Sequence, residues 1–117
     1  MKKVTVQEVI DAIRQNGKPQ AFGAFYRSES GNPTGAKTQA VTACALGQAA
    51  INLKVPTKSL VRSLSKIQNI KFDGLDINLD GLIISLNDTQ RWNLEQISNY
   101  LEETLPEDTK ERVLEIK

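Results

Sequence analysis

The sequence predicts a mostly helical α+β domain in which about four helices pack on a central small-residue helix, with one antiparallel β-hairpin at an edge. Three observations predict it. The run from Ala40 to Leu53 is almost free of charge and built from small and apolar residues, so neighbouring backbones can approach it closely. Thr5-Val6-Gln7-Glu8 and Asn93-Leu94-Glu95-Gln96 are capping-box patterns, each followed by apolar residues at helical spacing. From Phe72 the apolar period changes to two, the period of a strand.

Taken in order, Val6, Val9, Ile10 and Ile13 give the first helix its apolar face, and Gly17 and Pro19 end it, so it is expected over about Thr5 to Asn16. Gln20 to Arg27 holds Phe22, Phe25 and Tyr26 and reads as a short strand or an extended segment. Ser28 to Thr38 is a loop by its Ser, Gly, Asn and Pro content. The cysteine-bearing helix follows, from about Gln39 to Leu53. Pro56 stops it and Thr57 can cap the third helix, whose Leu60, Val61, Leu64 and Ile67 share one face. Leu75, Ile77 and Leu79 alternate with polar residues, Asp80-Gly81 signals a hairpin turn, and Leu82 to Leu86 is expected to be the returning strand. Asn87 to Gln90 turns the chain into the last long helix, with Leu94, Ile97, Tyr100 and Leu101 inward and Pro106 near its end. The tail from Glu107 to Lys117 reads as a short helix, a strand or a frayed end.

At 117 residues the chain is expected to form a single globular domain over residues 1–117. A hydrophobic share of 39% with 25% charged residues excludes wholesale disorder. No apolar stretch approaches a membrane span and Lys2-Lys3 leads into a polar segment, so a cytoplasmic protein with no membrane contact is expected. The single cysteine makes no internal disulfide. The absence of histidine is more informative, because histidine is the usual general base and the usual activator of serine and cysteine nucleophiles. Serine triads, cysteine–histidine dyads and histidine–zinc sites cannot be built from this chain alone.

Charge is unevenly distributed. Residues 30–72 carry Lys37, Lys54, Lys58, Arg62, Lys66 and Lys71 with no acid, whereas residues 73–117 carry eleven acids against four cations. Lys54, Lys58, Arg62 and Lys66 recur every four residues and are the candidate interaction row, suited to an acidic protein surface or to phosphate backbones.

Two loops approach ligand motifs. Gly31-Asn32-Pro33-Thr34-Gly35-Ala36-Lys37-Thr38 is one residue from a phosphate-binding loop, but Ala36 stands where that loop needs glycine. Asp76-Ile77-Asn78-Leu79-Asp80-Gly81 matches half of a calcium loop, but Asn87 stands at the twelfth position, where a bidentate carboxylate is required. Neither carries an expected cofactor or metal. Cys44, between two alanines and inside the expected helix, reads as a small buried hydrophobe, and Trp92 reads as a core plug at the start of the last helix.

Ala43-Cys44-Ala45-Leu46-Gly47-Gln48-Ala49-Ala50, with Leu86-Asn87-Asp88, Trp92 and the helix ending at Leu101-Glu102, resembles small bacterial and phage-associated proteins of unknown function. The resemblance implies that Cys44, Gly47, Asn87 and Asp88 form one structural constellation. Asn and Asp at a turn bond nearby amides, so this turn is expected beside the Cys44 helix, with Gly47 permitting the approach. The function expected from all this is a non-enzymatic interaction module for a protein partner, using the basic row or the Ser28 to Thr38 loop. The alternative is a nucleic-acid-binding accessory protein using the same row. Apolar residues in the tail leave room for a homodimer contact.

Overall fold

The first turn is set by its capping box. In the computed structural model, which describes every residue except Asn16, the chain opens as strand β1 (Lys2–Thr5) and turns into helix α1 (Val6–Arg14). The Thr5 hydroxyl accepts the Glu8 amide at 3.1 Å and the Glu8 carboxylate accepts the Thr5 amide at 3.0 Å. Val6, Val9, Ile10 and Ile13 face the core. The helix ends at Arg14 with Gln15 as its cap, and the expected last residue, Asn16, lies outside the described residues.

Tyr26–Arg27 form strand β2, which pairs antiparallel with β3 (Thr42–Ala43). This pairing corrects the reading of the small-residue helix. Residues 37–39 make only a single tight turn, and the chain stays extended to Cys44, because its amides are taken by a neighbouring backbone. Val41 N–H donates to Arg27 O, Ala43 N–H to Pro19 O and Cys44 N–H to Phe25 O, all at 2.9–3.0 Å. Helix α2 therefore spans Ala45–Leu53, and Cys44 is its N-cap rather than an interior residue.

Pro56 leads into α3 (Thr57–Ser65), which buries Leu60 and Leu64. Strands β4 (Ile70–Phe72) and β5 (Leu75–Ile77) form the hairpin, but its turn is Asp73-Gly74. Both turn residues have positive φ, 53° and 78°, the requirement of the two-residue type I′ turn. Asp80-Gly81 lies instead in the first turn of helix α4 (Leu79–Ile84), and the expected returning strand is helical. Leu79, Leu82, Ile83 and Leu86 are all buried at helical spacing, which decides against a strand. The helix continues as one wide π-type turn over Ser85–Thr89.

Helix α5 (Leu94–Thr104) opens on the second capping box, with Gln96 N–H donating to Asn93 Oδ1 at 2.8 Å. The short α6 (Glu107–Lys110) returns the chain to β6 (Val113–Ile116), which pairs antiparallel with β1, Val4 opposite Leu114. The fold is thus α+β, with six α-helices and three two-stranded antiparallel sheets among the described residues, where four helices and one hairpin were expected. Helix α2 packs against α1, α3 and α4. None of the helices is long and apolar enough to cross a membrane among the described residues.

Gly47 marks the closest approach to α2. A Cβ there would lie 2.5 Å from the carbonyl oxygen of Phe25 and 3.0 Å from the Tyr26 ring. Gly47→Ala is expected to cost about 2–3 kcal/mol in urea denaturation, the scale of overpacking against an unyielding backbone. Gly35→Ala, where the added Cβ meets nothing within 4 Å, is the matched control and is expected to be neutral.

Candidate functional site

The π-type turn aims the Asn87 side chain inward, where it is 1% exposed. Its Oδ1 accepts the Ala45 amide at 3.0 Å and the Gln20 amide group at 2.8 Å. Its Nδ2 donates to Ala21 O at 2.9 Å and to Asp88 Oδ1 at 2.7 Å. Both lone pairs and both N–H groups are used, and each neighbour matches the assigned orientation of the amide. Asp88 Oδ1 also accepts the Gly23 amide at 3.0 Å.

Cys44, Asn87 and Asp88 accordingly line one cavity of about 180 Å³, closed by Phe25, Leu46 and Ile83. Gly47 does not line it. The backbone that Gly47 admits belongs to Phe25, not to the Asn87-Asp88 turn, because the segment at residues 20–27 lies between them.

The cavity brings a thiol close to a carboxylate, but the geometry is that of a joint. Burial pushes the Cys44 thiol above its ordinary pKa, against the lowering effect of the Gly47 amide, which donates to Sγ at 3.5 Å. Asp88 nearby disfavours the thiolate further. The Ala45 N–H, which a helix N-terminus would offer to an anion, is occupied by Asn87.

The basic row divides between two helices. Lys58 and Arg62 lie on α3 and Lys66 caps its end, one side of the helix, whereas Lys54 is the left-handed C-cap of α2, with φ 58°. All four are exposed and none forms an ion pair among the described residues. The pairing of β6 with β1 then adds cations that the sequence reading did not group with them. Lys3, Arg112 and Lys117 line a cleft of about 660 Å³ together with Lys66, with Glu115 as the acid among its lining residues. Ser63 seals α3 to this sheet by donating to Glu115 O at 3.2 Å. The alternating pattern of Val113 to Ile116 was the available signal, but the partner strand lies more than a hundred residues away.

A second, apolar groove of about 780 Å³ opens between residues 33–38 and the start of α3. The phosphate-loop reading fails here. Lys37 donates to Val55 O and, at 3.5 Å, to Ala50 O, so its ammonium caps the end of α2, and burial holds its pKa below the ordinary lysine value. The half calcium loop is split between two elements: Asp76 lies on β5 and pairs with Lys71 at 2.6 Å across the hairpin, while Asp80 lies in the first turn of α4, and no group of three His, Cys, Asp or Glu side chains placed to hold a metal occurs among the described residues. Trp92 is half-buried, edge-on to Tyr100 at 5.3 Å between ring centroids. Known family models, curated proteins and solved structures offer no match to the chain.

The joint is testable through its one amide. Asn87→Asp keeps the shape but replaces two donors with an oxygen facing Ala21 O and Asp88. The new carboxylate, buried beside an acid, should have a raised folded-state pKa, so the native state binds the proton more tightly. The loss at neutral pH is expected to be about 3 kcal/mol or more, and to shrink as pH falls towards about 5. Urea denaturation at the two pH values reads both effects.

Proposed function

We propose that the chain is a non-enzymatic interaction module that docks an acidic protein surface through the face carrying Lys54, Lys58, Arg62 and Lys66. The observation that carries this reading is the clustering of four exposed cations, without acid partners among the described residues, within the stretch 30–72 that holds no acid. Arg14 and Lys110 are tied to Asp11, Glu102 and Glu107, and Lys71 to Asp76. Lys58 stands in the first turn of α3, where the positive end of the helix dipole disfavours a cation. An anionic partner relieves that repulsion. The Lys66 cleft extends the same charge and ends at Val113, which is 56% exposed and can meet an apolar side chain. Such a mixed surface suits a protein better than a bare phosphate backbone.

Nucleic-acid binding is the second reading, favoured by the same cleft because Lys3, Arg112 and Lys117 lengthen the cationic surface beyond one helix. Against it, the exposed row has no aromatic side chain for base stacking.

Arg62→Glu with Lys66→Glu tests the proposal, since both side chains are exposed and unpaired and the fold is expected to persist. In capture experiments from the native host, proteins retained by the wild type at low salt should be lost, or bound at least about tenfold more weakly, by the double variant. Unchanged capture would overturn the reading. Fluorescence anisotropy with labelled single and double strands separates the alternative: binding that falls linearly in log K with log salt identifies nucleic acid as the partner.

A further inference from the structure

The groove beside α3 and the tip of the β4–β5 hairpin complement one another. Leu75, at the tip, is 70% exposed and lies between Asp73 and Asp76. The tip is stiff. Asp73 and Gly74 hold a two-residue turn, Lys71 and Asp76 brace the strands at 2.6 Å, and Phe72 is held edge-on against Tyr100 with ring centroids 6.1 Å apart. The groove has apolar walls at Phe25, Tyr26 and Pro33, and Lys58 stands at its rim, whereas the Lys37 ammonium is held on the carbonyls at the end of α2. Its lining includes no acid among the described residues, and Lys58 has no acid partner there. An apolar knob flanked by carboxylates thus matches an acid-free apolar hole with one unpaired ammonium, that of Lys58, at its edge.

We propose that the hairpin tip of one molecule inserts into the groove of a second copy, with Leu75 against the Phe25–Tyr26 wall and Asp73 towards Lys58. The tip cannot reach its own groove. The groove lies at the start of α3 and the hairpin leaves from its far end, with a rigid nine-residue helix, about 13 Å long, between them. Donor and acceptor are different patches, so the contact is heterologous and repeats head to tail. One tip buries less than a standard interface, so association is weak and driven by concentration. This contact is independent of the partner binding proposed above, with which it shares only Lys58.

Sedimentation velocity over a concentration series into the millimolar range tests the proposal. The wild type is expected to grow beyond dimer as concentration rises. Leu75→Ser removes the knob and Thr38→Glu places a carboxylate in the groove. Both residues are exposed, and each change is expected to weaken association at least tenfold with an unchanged melting midpoint. Mixed in equal amounts, the two variants retain one intact knob and one intact groove between them, and should form a dimer that grows no further. A wild type that stays monomeric throughout, a Leu75→Ser chain that associates like the wild type, or a mixture that does not dimerise would each overturn the proposal. Dilution-dependent NMR shifts in the wild type, expected at residues 73–76 and around the groove, give a readout that needs no variant; their absence would overturn it too.

Discussion

A single buried amide, that of Asn87, joins three parts of the chain at one point. Three of its four hydrogen bonds join the π-type turn to the first amide of α2 and to residues 20–21, and the fourth holds Asp88, which in turn accepts the Gly23 amide. Gln20, which donates to Asn87, also donates to Trp92 O at 2.8 Å and so fixes the approach to α5. Leaving any one of these buried groups unpaired costs about 1–3 kcal/mol, a large fraction of a small domain's stability. Among the described residues Asp80 Oδ1 is the buried side-chain polar atom that lacks a partner, so the Asn87 network is complete.

Helix α2 works by the same logic along its length. Its small residues let the Phe25 carbonyl reach Gly47, while its polar side chains satisfy connecting backbone that has little secondary structure of its own. Gln48, fully buried, donates to Lys18 O at 2.5 Å and to Ala43 O at 3.2 Å, and accepts the Lys18 amide. Asn52 donates to Ala12 O at 2.7 Å and to Gln15 O at 3.2 Å, at the end of α1. Cys44 fits this frame as the cap of α2. The cavity it shares with Asn87 and Asp88 is the space left where three segments meet.

Local signals were legible and distant ones were not. Both capping boxes form as Thr5 and Asn93 imply, because each involves neighbours three residues apart. The hairpin was misplaced because Leu79 belongs to two periods at once, ending the alternation from Leu75 and beginning the helical series through Leu82, Ile83 and Leu86. Two Asp-Gly pairs then competed for one turn, and burial of the helical series decided between them. The start of α2 was read about six residues early because Ala40 to Ala43 is drawn into β pairing by Arg27 and Pro19, a tertiary effect that overrides local preference. In the same way the row on α3 was visible as a row, but Lys3, Arg112 and Lys117 join its surface only when the ends of the chain pair. Asn87 and Asp88 were legible as turn residues; the partners of Asn87 at Gln20 and Ala21 were not.

The most direct measurement of the Asn87 joint is native-state hydrogen exchange of the Ala45 amide. First-turn amides of a helix ordinarily exchange fast, since they have no intrahelical acceptor. Here the amide is held by Asn87 Oδ1 in the interior, so it should exchange only on global unfolding, with protection equal to that of Leu101 in the middle of α5. Exchange of Ala45 at the rate of a frayed helix end, while Leu101 stays protected, would contradict the central place given to Asn87.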